Sequence, residues 1–309
     1  MRRLFLILAC LLWAAPAWAE KLPVAVGIAP MKYFADKIGG DLVETTVMVP
    51  AGTDAHTYEP KPSQMRAVSS AVLYFSVGLE FEQAWVPRFL AANPKLQVVR
   101  TDAMIPKITM PAHHHDHDGK DGEHPIESYT VGNPQMLEKK PEPRETEDDP
   151  HVWTAPPLVK YIAEQMVEAL SQADPANART YRSNEGALLQ EIDQLDAEIR
   201  SALSALPKTR RTFLVFHPAW GYFAKTYGLT QEAVEIEGKE PGPKELAHIM
   251  EEAKKDGIKV VFIQPQFSAR TAQAIAQAIG GQVTAADPLA EDWAGNLREV
   301  ARVFRASLK

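Results

Sequence analysis

Of the nine histidines in this 309-residue sequence, three stand where side chains could meet to do chemistry. His56 follows an apolar segment ending near Pro50. His151 follows a long polar stretch. His217 comes directly after Phe213-Leu214-Val215-Phe216. Asp287 stands in a similar place, just after a short segment around Val283. Neutral imidazole is a borderline donor, and three imidazoles with one carboxylate make a tetrahedral N/O set with donors about 2.0–2.2 Å from an ion such as Zn2+. Glu59 is a further carboxylate close by, three residues from His56. Each histidine taken alone is better explained as a hydrogen-bonded loop side chain. Spacing does not decide between these readings, because the residues are remote in sequence. Of the other histidines, His248 falls on the expected solvent face of a helix. His113, His114, His115, His117 and His124 crowd into the polar stretch, a tract that either binds metal weakly or is merely solvated.

The surrounding pattern supplies a scaffold. Leu22 to Ile28, Leu42 to Val49, Ala71 to Val77 and Leu96 to Arg100 read as strands. They alternate with helical segments Met31 to Ile38, Met65 to Ser70 and Phe81 to Ala92. The nearly continuous apolar run at 71–77 is expected of a parallel strand covered on both faces. Between 111 and 150 His, Asp, Glu, Lys and Pro dominate, which predicts a flexible loop. Leu158 to Leu170 is an amphipathic helix. Pro175 then opens a longer one, closed by Pro207, with apolar residues at Leu188, Ile192, Leu195, Ile199, Ala202 and Leu206. At 1.5 Å per residue it would run roughly 45–50 Å, enough to brace two lobes. Strand and helix then alternate again through Thr212 to Phe216, Leu229 to Ile236, Ile258 to Ile263 and Gln282 to Ala285, and Glu291 to Ala306 closes the chain as a helix.

The predicted fold class is therefore α/β, with two lobes of parallel-type sheets joined by one long rigid helix. The lobes are expected over 20–174 and 207–309, with the helix over 175–206. In open α/β sheets, ligands bind beyond the carboxyl ends of the strands. His56, His151, His217 and Asp287 lie in four such exits, two per half, and could converge in the cleft.

Residues 1–19 are read apart from the fold. Arg2 and Arg3, an apolar run from Leu4 to Trp13 and the small-x-small site Ala17-Trp18-Ala19 have the layout of a cleavable secretory signal peptide. The run is too short for a membrane span, which needs about twenty apolar residues. Cys10 is the only cysteine, so the exported chain would have neither a disulfide nor a thiolate ligand. Ile7-Leu8-Ala9-Cys10 only faintly resembles a lipoprotein box. Without Arg2 and Arg3 the formal charge moves from -7 to about -9. An acidic surface argues against nucleic acid and anionic membranes as partners and is compatible with a cationic ligand.

Four segments resemble the metal motifs of the ZnuA/TroA-like binding proteins of bacterial ABC importers. They are Ala51 to Pro60, Asp149-Pro150-His151-Val152-Trp153, His217 to Phe223, and Asp287-Pro288-Leu289. Glu237-Gly238 to Pro243 and Pro265-Gln266-Phe267-Ser268 also look like family segments. The resemblance spans essentially the whole mature chain. It implies that His56, His151, His217 and Asp287 are the ligands, that the metal sits between two lobes, and that the protein is a periplasmic monomer and no enzyme. The implied partner is the membrane permease of a zinc importer. Manganese-binding relatives tend to carry a carboxylate at the third position, so His217 favours Zn2+ over Mn2+ or iron; Cu2+ and Ni2+ would also suit these donors. A charged His-rich loop sits at 111–150 in the zinc branch, which implies a weak accessory site there. Ala55, Thr154-Ala155 and Pro218 depart from the usual residues and bear on affinity more than on ligand identity.

Two readings compete. A secreted zinc hydrolase would need an open metal position beside a general base. No His-Glu-x-x-His helix is present, and no obvious base adjoins the histidine motifs. An adhesin role, described for some relatives, has nothing in this sequence to support it.

Overall fold

The computed structural model describes residues 21–111, 146–236, 239–267 and 269–308. The expected signal peptide and His113, His114, His115, His117 and His124 lie outside these residues.

The first sheet is built from β1 (Leu22–Val26), β2 (Val43–Val47), β3 (Leu73–Ser76) and β4 (Gln97–Arg100), all parallel, in the order β2-β1-β3-β4. β3 is buried along its whole length, as its apolar run requires, whereas the edge strands expose Glu44 and Gln97. The crossovers are α1 (Ala29–Gly39), α2 (Pro62–Ser70) and α3 (Glu80–Ala92). α1 stops at Gly40, whose φ of 54° suits a residue without Cβ.

Next comes a small antiparallel pair, β5 (Thr109–Pro111) with β6 (Thr146–Asp148). Both ends of the stretch expected as a loop over 111–150 are thus paired in a ladder. Its strands carry no apolar alternation, and backbone pairing alone leaves no trace in composition. His151 follows immediately, then a 3-10 turn over Val152–Thr154 and α4 (Pro156–Ala173).

The long helix α5 covers Ala178–Ser204, 27 residues and roughly 40 Å, after a 3-10 turn over Pro175–Asn177. It buries Tyr181, Leu188, Ile192, Leu195, Ile199 and Leu203. The seam was expected to run through Ala202 and Leu206. Instead the helix ends at Ser204, Leu203 takes the last buried place, and Leu206 packs beyond the end. Arg211 donates to the carbonyls of Leu203 and Leu206, which satisfies groups that the helix end leaves unpaired.

The second sheet is built from β7 (Thr212–Val215), β8 (Thr230–Ala233), β9 (Val260–Ile263) and β10 (Gln282–Ala285), again parallel, in the order β10-β9-β7-β8. Its helices are α6 (Gly221–Tyr227), α7 (Pro243–Lys255), α8 (Ala269–Ile279) and the closing α9 (Trp293–Ser307). Alternation along β7 sends Phe213 and Val215 into the main core and Leu214 into a smaller cluster with Val261 and Ile275. His248, on α7, is exposed as expected.

The fold is α/β, two parallel four-stranded sheets linked by the long helix. α5 packs on α1 and α4 on one side and on α6 and α9 on the other. One continuous apolar cluster runs through both lobes, containing Phe34 and Phe75 together with Phe213 and Phe304. Two buried indoles stitch the lobes: Trp153 Nε1 donates to Pro288 O at 2.7 Å, and Trp293 Nε1 to Trp153 O at 2.8 Å. Trp293 also packs edge-on against Phe34, with ring centroids 4.9 Å apart. Among the described residues no helix is long and apolar enough to cross a membrane.

Candidate metal centre

Three strand-exit segments bring His56, His151 and His217 to one point. His56 sits in the connection between β2 and α2, and its N–H donates to Asp54 Oδ1 at 2.9 Å. His151 leaves β6 through Asp149-Pro150 and is held by Asp149 Oδ1, which accepts from its main-chain N–H at 2.8 Å. Thr154, one of the unusual residues, donates its hydroxyl to His151 O at 2.9 Å. His217 follows β7, and the buried amide of Gln264 grips its peptide groups from β9: Gln264 Oε1 accepts from His217 N, and Gln264 Nε2 donates to His217 O. Phe267 stacks on the His217 ring at 5.5 Å.

The Nε2 atoms of His56 and His217 are 3.0 Å apart, and those of His217 and His151 3.3 Å. A tetrahedral ion with bonds of 2.0–2.1 Å needs donors roughly 3.3–3.4 Å apart. Two edges of such a tetrahedral face, those that meet at His217, are therefore already close to the required length. One donor atom from each histidine lies within 4.8 Å of the other two, the single such group among the described residues.

Each ring is turned by a carboxylate on its other nitrogen. His56 Nδ1 pairs with Glu80 Oε2 at 2.5 Å, His151 Nδ1 with Asp149 Oδ1 at 2.8 Å, and His217 Nδ1 with Glu235 Oε1 at 2.6 Å. An ionised carboxylate only accepts, so Nδ1 must donate, and Nε2 of the neutral ring keeps its lone pair. Carboxylates do adjoin the histidine motifs, contrary to the sequence reading, but they lie on the Nδ1 side, away from the meeting point. The sequence reading missed Glu80 and Glu235. The strand-exit criterion applied to acids as well as histidines would have found both, since Glu80 follows β3 and Glu235 follows β8.

Glu80 is itself carried on a built loop. Glu82, buried two residues on, accepts from the N–H groups of Val77, Gly78 and Leu79 and from the Ser76 hydroxyl. Burial raises the Glu82 pKa, and these donors only partly offset it. For His56, burial pulls the imidazole pKa down, but the hydrogen bond and charge of Glu80 outweigh it and leave the ring above its ordinary value.

Asp287 is not in the group formed by the three imidazoles. Its Oδ1 accepts from Leu289 N at 2.9 Å and from Gln266 Nε2 at 3.3 Å. Glu59 is exposed and does not line the cavity over the histidines, which is walled by Asp54, Leu79, Trp153, Gln266, Phe267 and Leu289.

Over residues 24–306 the chain matches the family described as zinc-uptake complex component A, periplasmic. The chain belongs to this family. Its members are binding components of ABC-type metal uptake and have no catalytic role. Among solved structures, a zinc-bound ZnuA deletion mutant superposes with a TM-score of 0.80 at 37% identity, covering 94% of this chain and 99% of that one. Among curated relatives, ZnuA of Paracoccus denitrificans is 30% identical over 264 residues, 81% of this chain and 78% of that protein. The zinc-binding protein AdcA of Streptococcus pyogenes is 25% identical over 273 residues, and the match spans only 50% of its length.

Proposed function

We propose that the chain captures Zn2+ in the periplasm, after loss of a leader over 1–19, and delivers it as a monomer to the membrane permease of an ABC importer. The observation that carries this reading is the convergence of three imidazoles, with the two Nε2 separations at His217 close to those of a tetrahedral zinc site and one donor atom of each ring within 4.8 Å of the others. His56, His151 and His217 supply three donors. The fourth is Asp287 through its Oδ2, or water. Three neutral imidazoles favour Zn2+ over Mn2+ or iron, which prefer more oxygen. The ZnuA and AdcA relatives, named for zinc, support the same choice.

The test is metal analysis of untagged protein purified from periplasm, followed by chelator-competition titration. One tightly held zinc per chain is expected. A chain that prefers Mn2+ under equal competition refutes the zinc assignment. Asp287→Ala then locates the fourth donor: affinity within about threefold of the parent means water, whereas a loss of about tenfold or more means the carboxylate.

A further inference from the structure

The ligand set leaves three acidic residues unexplained. Glu80, Asp149 and Glu235 come from three different segments, behind β3, β6 and β8, and each meets the Nδ1 atom of one histidine. Asp149 and Glu235 are almost fully buried, with side chains 2% and 4% exposed; Glu80 is 27% exposed. A buried carboxylate carries a desolvation cost, and neither Asp149 nor Glu235 lies in a helix or strand whose geometry calls for one. The repeated arrangement has one shared effect, which is to turn each ring so that its bare nitrogen faces the same point.

We propose that Glu80, Asp149 and Glu235 are positioning residues of the metal site. Each fixes the tautomer and orientation of one imidazole, and together they set three negative charges behind three neutral donors. This inference rests on the reading of His56, His151 and His217 as ligands. A carboxylate behind an imidazole raises its basicity as a donor and removes the ring rotation that binding would otherwise have to freeze. The deep pair, Asp149 and Glu235, acts through little solvent and carries the larger share. Glu80, nearer the rim, is screened and carries less.

Glu235→Gln is the primary variant. Glutamine keeps the size and an acceptor oxygen for Nδ1, and so preserves the tautomer while removing the charge. Glu235→Leu removes both. Asp149 is a poorer first choice, because it also holds the His151 main chain, and its carbonyl accepts from the Tyr222 hydroxyl at 3.0 Å. Zn2+ affinity of the mature protein would be measured by chelator competition, thermal stability on metal-free protein, and ligand geometry from the visible spectrum with Co2+ as probe. The expected result is a roughly tenfold loss for Glu235→Gln and up to about a hundredfold loss for Glu235→Leu. Metal-free Tm should hold in Glu235→Gln and fall in Glu235→Leu, which takes the acceptor from the buried His217 Nδ1–H, and the Co2+ bands should shift in the leucine variant only. A loss under about fivefold in both variants overturns the proposal. So does a loss in Glu235→Gln that is matched by a fall in its metal-free Tm, since the role is then structural. His217→Ala, run alongside, separates this proposal from the reading beneath it: tight binding kept by His217→Ala removes the site itself, whereas binding lost there and kept in both Glu235 variants removes only the positioning role.

Discussion

His56 and His217 approach to 3.0 Å, yet they are held by different means. On the deep side, the His217 peptide groups are gripped by Gln264, and Gln231 accepts from Trp220 N at 2.7 Å and donates to Pro218 O. His151 is held on both sides of its peptide by Asp149 and Thr154. The rim side is lighter. His56 hangs on a connection whose own members, Asp54 and the Pro50–Thr53 turn, supply its main-chain bonds, and whose neighbours Gly52, Thr57 and Glu59 are exposed. Two donors are thus positioned by the lobes and one by a surface loop. Affinity should reside in the deep pair, and exchange of the ion should be governed by the rim.

The sharpest way to break this comparison is to remove the ligands one at a time. His217→Ala and His151→Ala should each weaken Zn2+ binding by about a thousandfold or more, and His56→Ala by nearer a hundredfold, beyond what an outer partner alone contributes. Equal losses in a chelator-competition titration would erase the distinction between the sides. Trp293→Ala should destabilise the protein by about 3–5 kcal/mol in chemical denaturation, because it empties a large buried site between the lobes and strips a donor from Trp153 O. Gln264→Leu should cost about 1–3 kcal/mol, since it leaves buried polar groups of His217 unpaired, whereas Asp54→Ala on the rim should cost no more than about 1 kcal/mol.

The smallest effect expected is in pH dependence, and its sign differs between the metal-free and loaded states. The His56 pKa is raised in the folded protein, so its pairing with Glu80 stabilises the metal-free form at low pH, and that contribution is lost as pH rises through the folded value. Zinc needs the ring unprotonated, so affinity should fall as pH drops, starting at a higher pH than for an ordinary imidazole. Denaturation and competition titrations between about pH 5 and 8 should show these opposite slopes, and His56→Gln should flatten the first.

The elements were legible because their signals are local. Apolar runs such as Val260–Ile263 are short, buried and bounded by turns, and Pro175 and Pro207 bracket the long helix. The approach of His56, His151 and His217 was expected from strand exits and a family resemblance. Their partners Glu80 and Glu235 were not, because an acid at a helix start or in a loop is usually just a capping or solvated residue. The β5–β6 pair was invisible for a related reason: its ladder is made of backbone groups, and Thr146-Glu147-Asp148 reads as any polar loop.

That pair has a practical consequence. Pro111 and Thr146 pair across the antiparallel ladder, so these two ends lie at adjacent points. A two-residue Asn-Gly turn joining Pro111 to Thr146 would keep the register of this ladder. Replacing the histidine-bearing stretch by such a turn should therefore leave Asp149 and His151 in place behind the strand that precedes them, which the Zn2+ affinity of the shortened chain would check.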